Sequence, residues 1–329
     1  MRDHGGNLDQ AIARFGGAAG DWIDLSTGIN RRPYPIPPLP PEIWHALPGR
    51  EAQRTLIAAA AQAYRTDAAI LPLAGAQAAI QLIPRLTAPG RARVLAPTYN
   101  EHAAALRAAG WSVEEVAAPA DLAGADLAVL VNPNNPDGRR IAPADLRALA
   151  GRVGRLVVDE SFADPEPDLS VAGDCGALAG LLVLRSFGKF YGLAGLRLGF
   201  AIGAEDDIGR LAAMAGPWAV SGPALDIGAR ALRDDDWAAA TRARLDTETP
   251  RIDALARAAG WRLIGGTALF RLYDTPGGTA AQAALARHRI WSRVFPDKPG
   301  WLRLGLPGDA EEWTRLGRAM KEHRDAVHT

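Results

Sequence analysis

Residues 181–199 read Leu-Leu-Val-Leu-Arg-Ser-Phe-Gly-Lys-Phe-Tyr-Gly-Leu-Ala-Gly-Leu-Arg-Leu-Gly. The first four are continuously apolar, which suits a short strand buried on both faces of a sheet. The charged and glycine-containing residues that follow stand where such a strand ends, and α/β sheets place their ligand crevices at strand ends. Further apolar runs lie at 70–73, 94–97, 127–131, 156–158 and 196–202. Between several of them, the Ala/Leu/Arg segments 76–86, 102–109 and 143–151 carry helical spacing. Strand–helix alternation predicts an α/β fold with a mostly parallel sheet flanked by helices.

The pattern changes after Gly222. A helical stretch over 224–259, with a break near 234–236, leads into short strands at 261–264, 269–273 and 302–306. Helical segments at 279–289 and 310–324 interleave with them, which reads as a smaller C-terminal α+β domain. The proline-rich residues 32–41 read as an extended arm. The expected organisation is an N-terminal arm over 1–40, a large domain over 41–221 and a small domain over 222–329.

Composition narrows the function. Lys+Arg and Asp+Glu each count 37, so no bulk field favours nucleic acid or an anionic membrane. The single Cys175 excludes a disulfide framework and a Cys-based zinc site. The six histidines lack metal-ligand spacing, so no metal is expected. With no long apolar run and no apolar core in the opening residues, a soluble cytoplasmic protein is expected. Only three of the 37 basic residues are lysines: Lys189, Lys298 and Lys321.

Four segments at strand ends carry candidate chemistry. Ala74-Gly75-Ala76-Gln77 precedes an apolar helix; small residues there let backbone N–H groups approach a phosphate, and a tight strand-to-helix turn needs the same residues. Asn132-Pro133-Asn134-Asn135-Pro136-Asp137-Gly138 is rich in turn formers. Asp159-Glu160-Ser161-Phe162 puts an acid directly behind a buried strand, which is costly without a cationic partner, although an acid there also serves as a helix N-cap. Gly188-Lys189 is not a nucleotide-binding P-loop, since Phe190 and Val183 stand where Ser/Thr and Gly are required. No G-x-S-x-G elbow is present.

In order and spacing these segments resemble fold-type I pyridoxal-phosphate enzymes of the aminotransferase class I/II superfamily. The resemblance spans nearly the whole chain: a Gly-rich turn, the aromatic Tyr99, N-P-N-N-P-x-G, D-E-x-F, then S-x-x-K with an arginine eight residues on. It implies the pyridoxal-phosphate transferase fold and pyridoxal 5'-phosphate as cofactor. Lys189 is the implied cofactor lysine, and of the three lysines only it follows a buried strand end. Asp159 is implied to hold the pyridine nitrogen protonated, so that the ring serves as an electron sink. Gly75, Ala76, Gln77, Ser186 and Arg197 match the phosphate-binding positions, Asn135 the partner of the phenolic oxygen, and Tyr99 the stacking aromatic. Arg303 matches the arginine that grips the substrate carboxylate in a bidentate fork; a strand-edge salt bridge is its plain structural reading. Two departures stand out. Phe162 replaces a tyrosine that many members have, and Leu47 replaces the tyrosine of a Tyr-Pro pair whose hydroxyl reaches the partner subunit's cofactor.

Within the superfamily, His4-Gly5-Gly6-Asn7, residues 24–30, residues 184–191 and residues 216–221 look like threonine-phosphate decarboxylases of cobalamin biosynthesis. The implied reaction is loss of CO2 from L-threonine O-3-phosphate, giving (R)-1-amino-2-propanol O-2-phosphate. Stereoelectronics requires the bond that breaks to stand perpendicular to the cofactor plane, so a decarboxylase must turn the carboxylate out of plane. Arg293 and Arg303 are expected to hold the substrate's two anions, with His4 and Asn30 completing the pocket. A histidinol-phosphate-like aminotransferase is the competing reading, and a non-catalytic cofactor-binding regulator a third. The resemblance also implies a homodimer acting on a phosphorylated amino acid, with no nucleic-acid or membrane partner.

Overall fold

The computed structural model describes residues 5–327 and divides into two compact units. The larger comprises residues 34–135 and 139–237; the other comprises the first 33 residues, 136–138 and everything from 238 onward.

The larger unit is built on a seven-stranded sheet in the order Ala69–Leu73, Gly199–Gly203, Leu181–Ser186, Leu156–Asp159, Leu127–Val131, Arg91–Leu95 and Ser112–Val116. Only Gly199–Gly203 runs against its neighbours; every other pairing in the sheet is parallel. The interior strand Leu127–Val131 is buried at every residue, as its unbroken apolar run requires. Helices such as Ala76–Leu82, Glu101–Ala108 and Glu205–Ala215 supply core residues that pack with the strands, among them Ile80, Leu106 and Leu211 around Val94, Val129 and Leu182.

Two strand expectations change. The run 196–202 is a strand only from Gly199, because residues 194–196 form a 3-10 turn and Arg197 takes a left-handed φ of 55°. The edge strand Ser112–Val116 was not expected: its Glu114 and Glu115 break the apolar run, and Glu114 instead faces Arg93 across the ladder at 2.8 Å. Such charges suit an edge, where they discourage pairing with another chain.

The other unit holds an antiparallel four-stranded sheet in the order Arg293–Phe295, Lys298–Gly305, Phe270–Asp274 and Arg262–Thr267. Helices Gly278–Arg287 and Ala310–Val327 belong to it. Its core gathers Ile252, Tyr273, Leu285, Leu302, Leu304, Trp313 and Leu316.

The compact units divide the chain differently from the expected boundaries at 41 and 222. The N-terminal residues are part of the smaller unit: Ile23–Asp24 pairs in parallel with Ile290–Trp291, and Trp22 packs edge-on to Trp291. Helix Gly222–Leu232 stays with the larger unit, packed so closely that a Cβ on Gly228 would lie 2.5 Å from Leu198 and 3.0 Å from Leu56. The expected break in the long helix falls at Arg233 and Asp234, where Asp234 accepts the N–H of Trp237 and starts helix Asp235–Ala258.

Leu130 is fully buried in the middle of the sheet. Leu130→Ala should lower the stability of the larger unit by about 2–5 kcal/mol through lost transfer energy and a residual cavity. The urea midpoint read by tryptophan fluorescence checks this.

Candidate active site

The carboxyl ends of Leu127–Val131, Leu156–Asp159 and Leu181–Ser186 lie side by side because the three strands are parallel neighbours. A cavity of about 180 Å³ opens there. Gly75, Ala76, Gln77, Tyr99, Asn135, Asp159, Ser186, Lys189 and Arg197 all line it, together with Ser161, Phe162 and Gly188. The nine residues expected on the cofactor side are thus brought together from five separate segments.

Asp159 is 2% exposed and its carboxylate is held on both oxygens. Oδ1 accepts the Ser161 N–H at 2.9 Å and the Ser161 hydroxyl at 2.5 Å, and Oδ2 lies 2.8 Å from His102 Nε2. Burial by itself would push this carboxyl's pKa up. The hydrogen bond and charge of His102, with the two bonds from Ser161, outweigh it and hold the group below the usual aspartate value.

His102, itself 4% exposed, was missed in the sequence. It lies on helix Glu101–Ala108, which follows the strand Arg91–Leu95. A buried acid behind Leu156–Val158 demands a cationic or donor partner, but nothing in the linear order says which of the six histidines supplies it.

At the other side of the cavity, Gly75 has φ +82° and caps helix Ala76–Leu82. A Cβ there would stand 2.9 Å from Arg197 Nη2, so the glycine leaves room for the guanidinium. Arg197 reaches this place from its left-handed backbone and also donates to Ala194 O at 3.1 Å. A non-glycine residue at positive φ is strained and persists where its surroundings demand it. The N–H groups of Ala76 and Gln77 open the helix, where no carbonyl one turn back is available to them. Ser186 precedes the turn Phe187–Phe190 and its side chain makes no capping bond to it. Tyr99 donates its hydroxyl to Gln77 Oε1 at 3.2 Å, and Gln77 Nε2 in turn faces Glu101 at 3.3 Å, which fixes the aromatic wall.

Lys189 rises half-buried from the turn Phe187–Phe190, its Nζ 5.8 Å from the centre of the Phe162 ring. Strand alternation sends the next charges away from the cavity. Arg185, one residue before Ser186, donates to Glu160 at 2.9 Å and to Asp164 at 2.5 Å, and lies 4.3 Å over the ring of Tyr64. All three charged groups are buried, so each needs the others.

The residues expected on the substrate side belong to the other unit. Arg303 and Arg293 stand opposite each other on neighbouring strands. Arg303 is 3% exposed, donates to Ser26 O at 2.7 Å and lies 5.0 Å over the ring of Phe270. Burial, reinforced by Arg293 and opposed by Asp24, pushes its pKa down to about 9. It therefore stays charged at neutral pH, and two like charges opposed across a ladder favour an anion between or beside them. Asn30 Oδ1 accepts from Arg244 Nη2 at 2.8 Å and from Arg32 N at 3.0 Å, which fixes the turn it occupies. His4 lies outside the described residues.

The cavity's donor set suits pyridoxal 5'-phosphate. A guanidinium, a hydroxyl and helix-opening N–H groups gather beside the glycine cradle for a phosphate. An ionised carboxylate stands ready for a protonated ring nitrogen, and one amine serves the aldehyde. No group of three or more potential metal ligands occurs among the described residues.

The profile of the aminotransferase class I and II family matches residues 42–319. The chain is 46% identical to a threonine-phosphate decarboxylase of Sinorhizobium sp., covering 96% of this chain and 97% of that protein. It is 44% identical to the threonine-phosphate decarboxylase of Pseudomonas aeruginosa, covering all of both chains. Among solved structures, histidinol-phosphate aminotransferase from Sinorhizobium meliloti in complex with pyridoxal 5'-phosphate has the same fold, with a TM-score of 0.76, 19% identity and coverage of 97% and 94% of the two chains.

The depressed pKa of Asp159 has a stability consequence with a definite sign. Its ionised form contributes stability that is fully present above the unfolded aspartate value of about 4 and is lost as pH falls through the lower folded value. In cofactor-free protein, the urea midpoint of wild type should exceed that of Asp159→Asn above about pH 4, and the gap should close as the solution is acidified. A gap independent of pH would mean that the carboxylate is not held in its charged form.

Proposed function

The chain belongs to the class I and II aminotransferase family, and from that premise we propose that it decarboxylates L-threonine O-3-phosphate to (R)-1-amino-2-propanol O-2-phosphate, a step of cobalamin biosynthesis, using pyridoxal 5'-phosphate. It is in this reading a carbon–carbon lyase of the cytoplasm. The observation that carries it is the end-to-end likeness, at 44–46% identity, to two threonine-phosphate decarboxylases. The cavity chemistry alone serves decarboxylation and amino transfer equally. No helix among the described residues is long and apolar enough to cross a membrane.

The cofactor, when bound, supplies a ring that accepts the electron pair released as a bond at the substrate's α-carbon breaks. The protein does the rest. Gly75, Ala76, Gln77, Ser186 and Arg197 hold the phosphate end, and Asn135 and Tyr99 fix the ring's orientation. Asp159, kept ionised by His102 and Ser161, keeps a proton on the ring nitrogen. Lys189 anchors the cofactor in the resting enzyme and returns a proton to the α-carbon that CO2 has left. Arg303 binds the substrate carboxylate, and Arg293 the phosphate. Phe162 offers no hydroxyl, so Asn135 is left as the partner of the phenolic oxygen among the residues assigned here.

We further propose that the enzyme is a homodimer. The larger unit exposes large apolar side chains that monomers rarely leave in one region: Trp44 is 68% exposed, Leu47 69% and Trp218 59%. Together with Ile36 they line one groove of that unit.

Purified enzyme given threonine phosphate should release CO2; formation of a keto acid in its place would favour the aminotransferase reading. Lys189→Ala should abolish turnover, and borohydride reduction of wild type should fix the cofactor on the peptide containing Lys189, not Lys298 or Lys321. Asp159→Asn should lose on the order of 10²-fold in turnover. Arg303→Ala and Arg293→Ala should each cost about 2–4 kcal/mol in kcat/KM for threonine phosphate. Sedimentation equilibrium showing an active monomer would overturn the dimer.

A further inference from the structure

Glu160 follows Asp159 and Arg185 precedes Ser186, and neither lines the cofactor cavity. Strand alternation puts both on the opposite face. The register of Leu156–Asp159 with Leu181–Ser186 has its last pair at Asp159 and Leu184, after which the Glu160 N–H donates to Leu184 O at 2.9 Å. From there the two chains part. One enters a turn in which the Ala163 N–H donates to Glu160 O at 3.0 Å, and the other runs on to pair Ser186 with Gly199. The Arg185 guanidinium spans the parting. Nη1 donates to Glu160 at 2.9 Å and Nη2 to Asp164 at 2.5 Å.

The turn is therefore anchored at both ends to one side chain. Between the anchors stand Ser161 and Phe162, which both line the cavity, and Ser161 gives Asp159 two of its three hydrogen bonds. Glu160 is fixed further by the Ser170 hydroxyl at 2.5 Å and the Val171 N–H at 2.8 Å. At the phosphate end the backbone does the same work. Ser186 pairs with Gly199, and a Cβ on Gly199 would stand 2.3 Å from Ala76 N, so that strand and the helix start are in direct contact. Burial alone would pull the Arg185 pKa down; Asp164 and Glu160 outweigh it and hold the group charged. Three buried charges are a poor source of stability, since apolar residues of similar volume commonly do as well. A planar fork holding two carboxylates fixes geometry instead.

We propose that Arg185 is a positioning residue for the cofactor, its fork setting the ring-nitrogen end of the cavity, Asp159 with Ser161 and Phe162, at a fixed distance from the phosphate end. This rests on the cofactor assignment of the cavity and holds whether decarboxylation or amino transfer follows. A ligand that touches both ends senses the clamp, and a ligand that touches only the phosphate end does not.

Arg185→Met alone would leave two buried carboxylates without a cation and is expected to unfold the turn. The test therefore uses Arg185→Lys, which keeps the charge and loses the fork, and the neutral set Arg185→Met/Glu160→Gln/Asp164→Asn. Each full-length protein, freed of cofactor, is titrated with pyridoxal 5'-phosphate, and with inorganic phosphate in competition with it. Tryptophan fluorescence reads both, and the urea midpoint is taken on the same samples. The neutral set should bind pyridoxal 5'-phosphate about 10-fold more weakly, the low end of what loss of an outer-shell partner costs at metal sites, and Arg185→Lys should lose less. The affinity for inorganic phosphate should not change. A lowered urea midpoint with wild-type affinity for pyridoxal 5'-phosphate would make the group merely structural and overturn the proposal. So would an equal loss for both ligands, which would mean that the cavity as a whole had collapsed. Should the neutral set not fold, Arg185→Lys decides by the same criteria. Wild type that binds phosphate and no pyridoxal 5'-phosphate would sink the cofactor reading, and the proposal with it.

Discussion

The proposed chemistry depends on keeping one carboxylate charged inside a sheet. Asp159 ends a strand whose preceding residues are entirely apolar, and it is itself buried. An isolated carboxylate in that place would take up a proton. Three hydrogen bonds prevent this: two from Ser161 in the following turn and one from His102, 57 residues away in sequence. The helix that carries His102 is therefore as much a part of the electrostatics as of the packing. The same strand ends hold a second charged group on their opposite side, where Arg185 joins Glu160 and Asp164. Period-two alternation thus keeps the functional charge and the structural charges apart by one residue each.

Much of this was legible in the chain. Buried strands of a parallel sheet appear as unbroken apolar runs, so 127–131 and 156–158 could be placed within a residue of their ends. Of the residues proposed for the chemistry, Lys189 and Asp159 stood out because a charged group directly behind a buried strand is costly there, whereas Arg197 followed from the family resemblance. Other features left no linear trace. Ser112–Val116 forms a strand through its neighbour, not its own pattern, because an edge strand may be charged. His102 is one histidine among six until the fold puts it against Asp159. The left-handed backbone of Arg197, which directs its side chain to Gly75, carries no propensity signal in a residue that ordinarily avoids it.

The boundary between units was the least legible feature, for a reason in the physics. Composition shifts mark where one pattern of elements gives way to another, whereas a compact unit is defined by which residues bury one another. Trp22, Ile23 and Leu25 bury their side chains against residues beyond position 250, and Leu25 exchanges backbone hydrogen bonds with Trp291 and Gly305. Nothing local to the first 33 residues announces a partner so distant. Arg303 shows the same dependence at a single atom, since the carbonyl that its guanidinium meets belongs to Ser26, 277 residues earlier.

A unit assembled from residues before 34 and after 237 has a consequence for its birth on the ribosome. The larger unit has its last residue at 237, so its sheet can close while the remainder is still being translated. Residues 5–33, made before it, must wait through that whole interval, because the strand that pairs with Ile23 and Asp24 lies at 290–291. Trp22 can meet Phe15 in the meantime, but its packing on Trp291 and that of Ile23 on Ile290 must wait until residues 290–291 are made. That nascent segment is where a holding chaperone has most to protect.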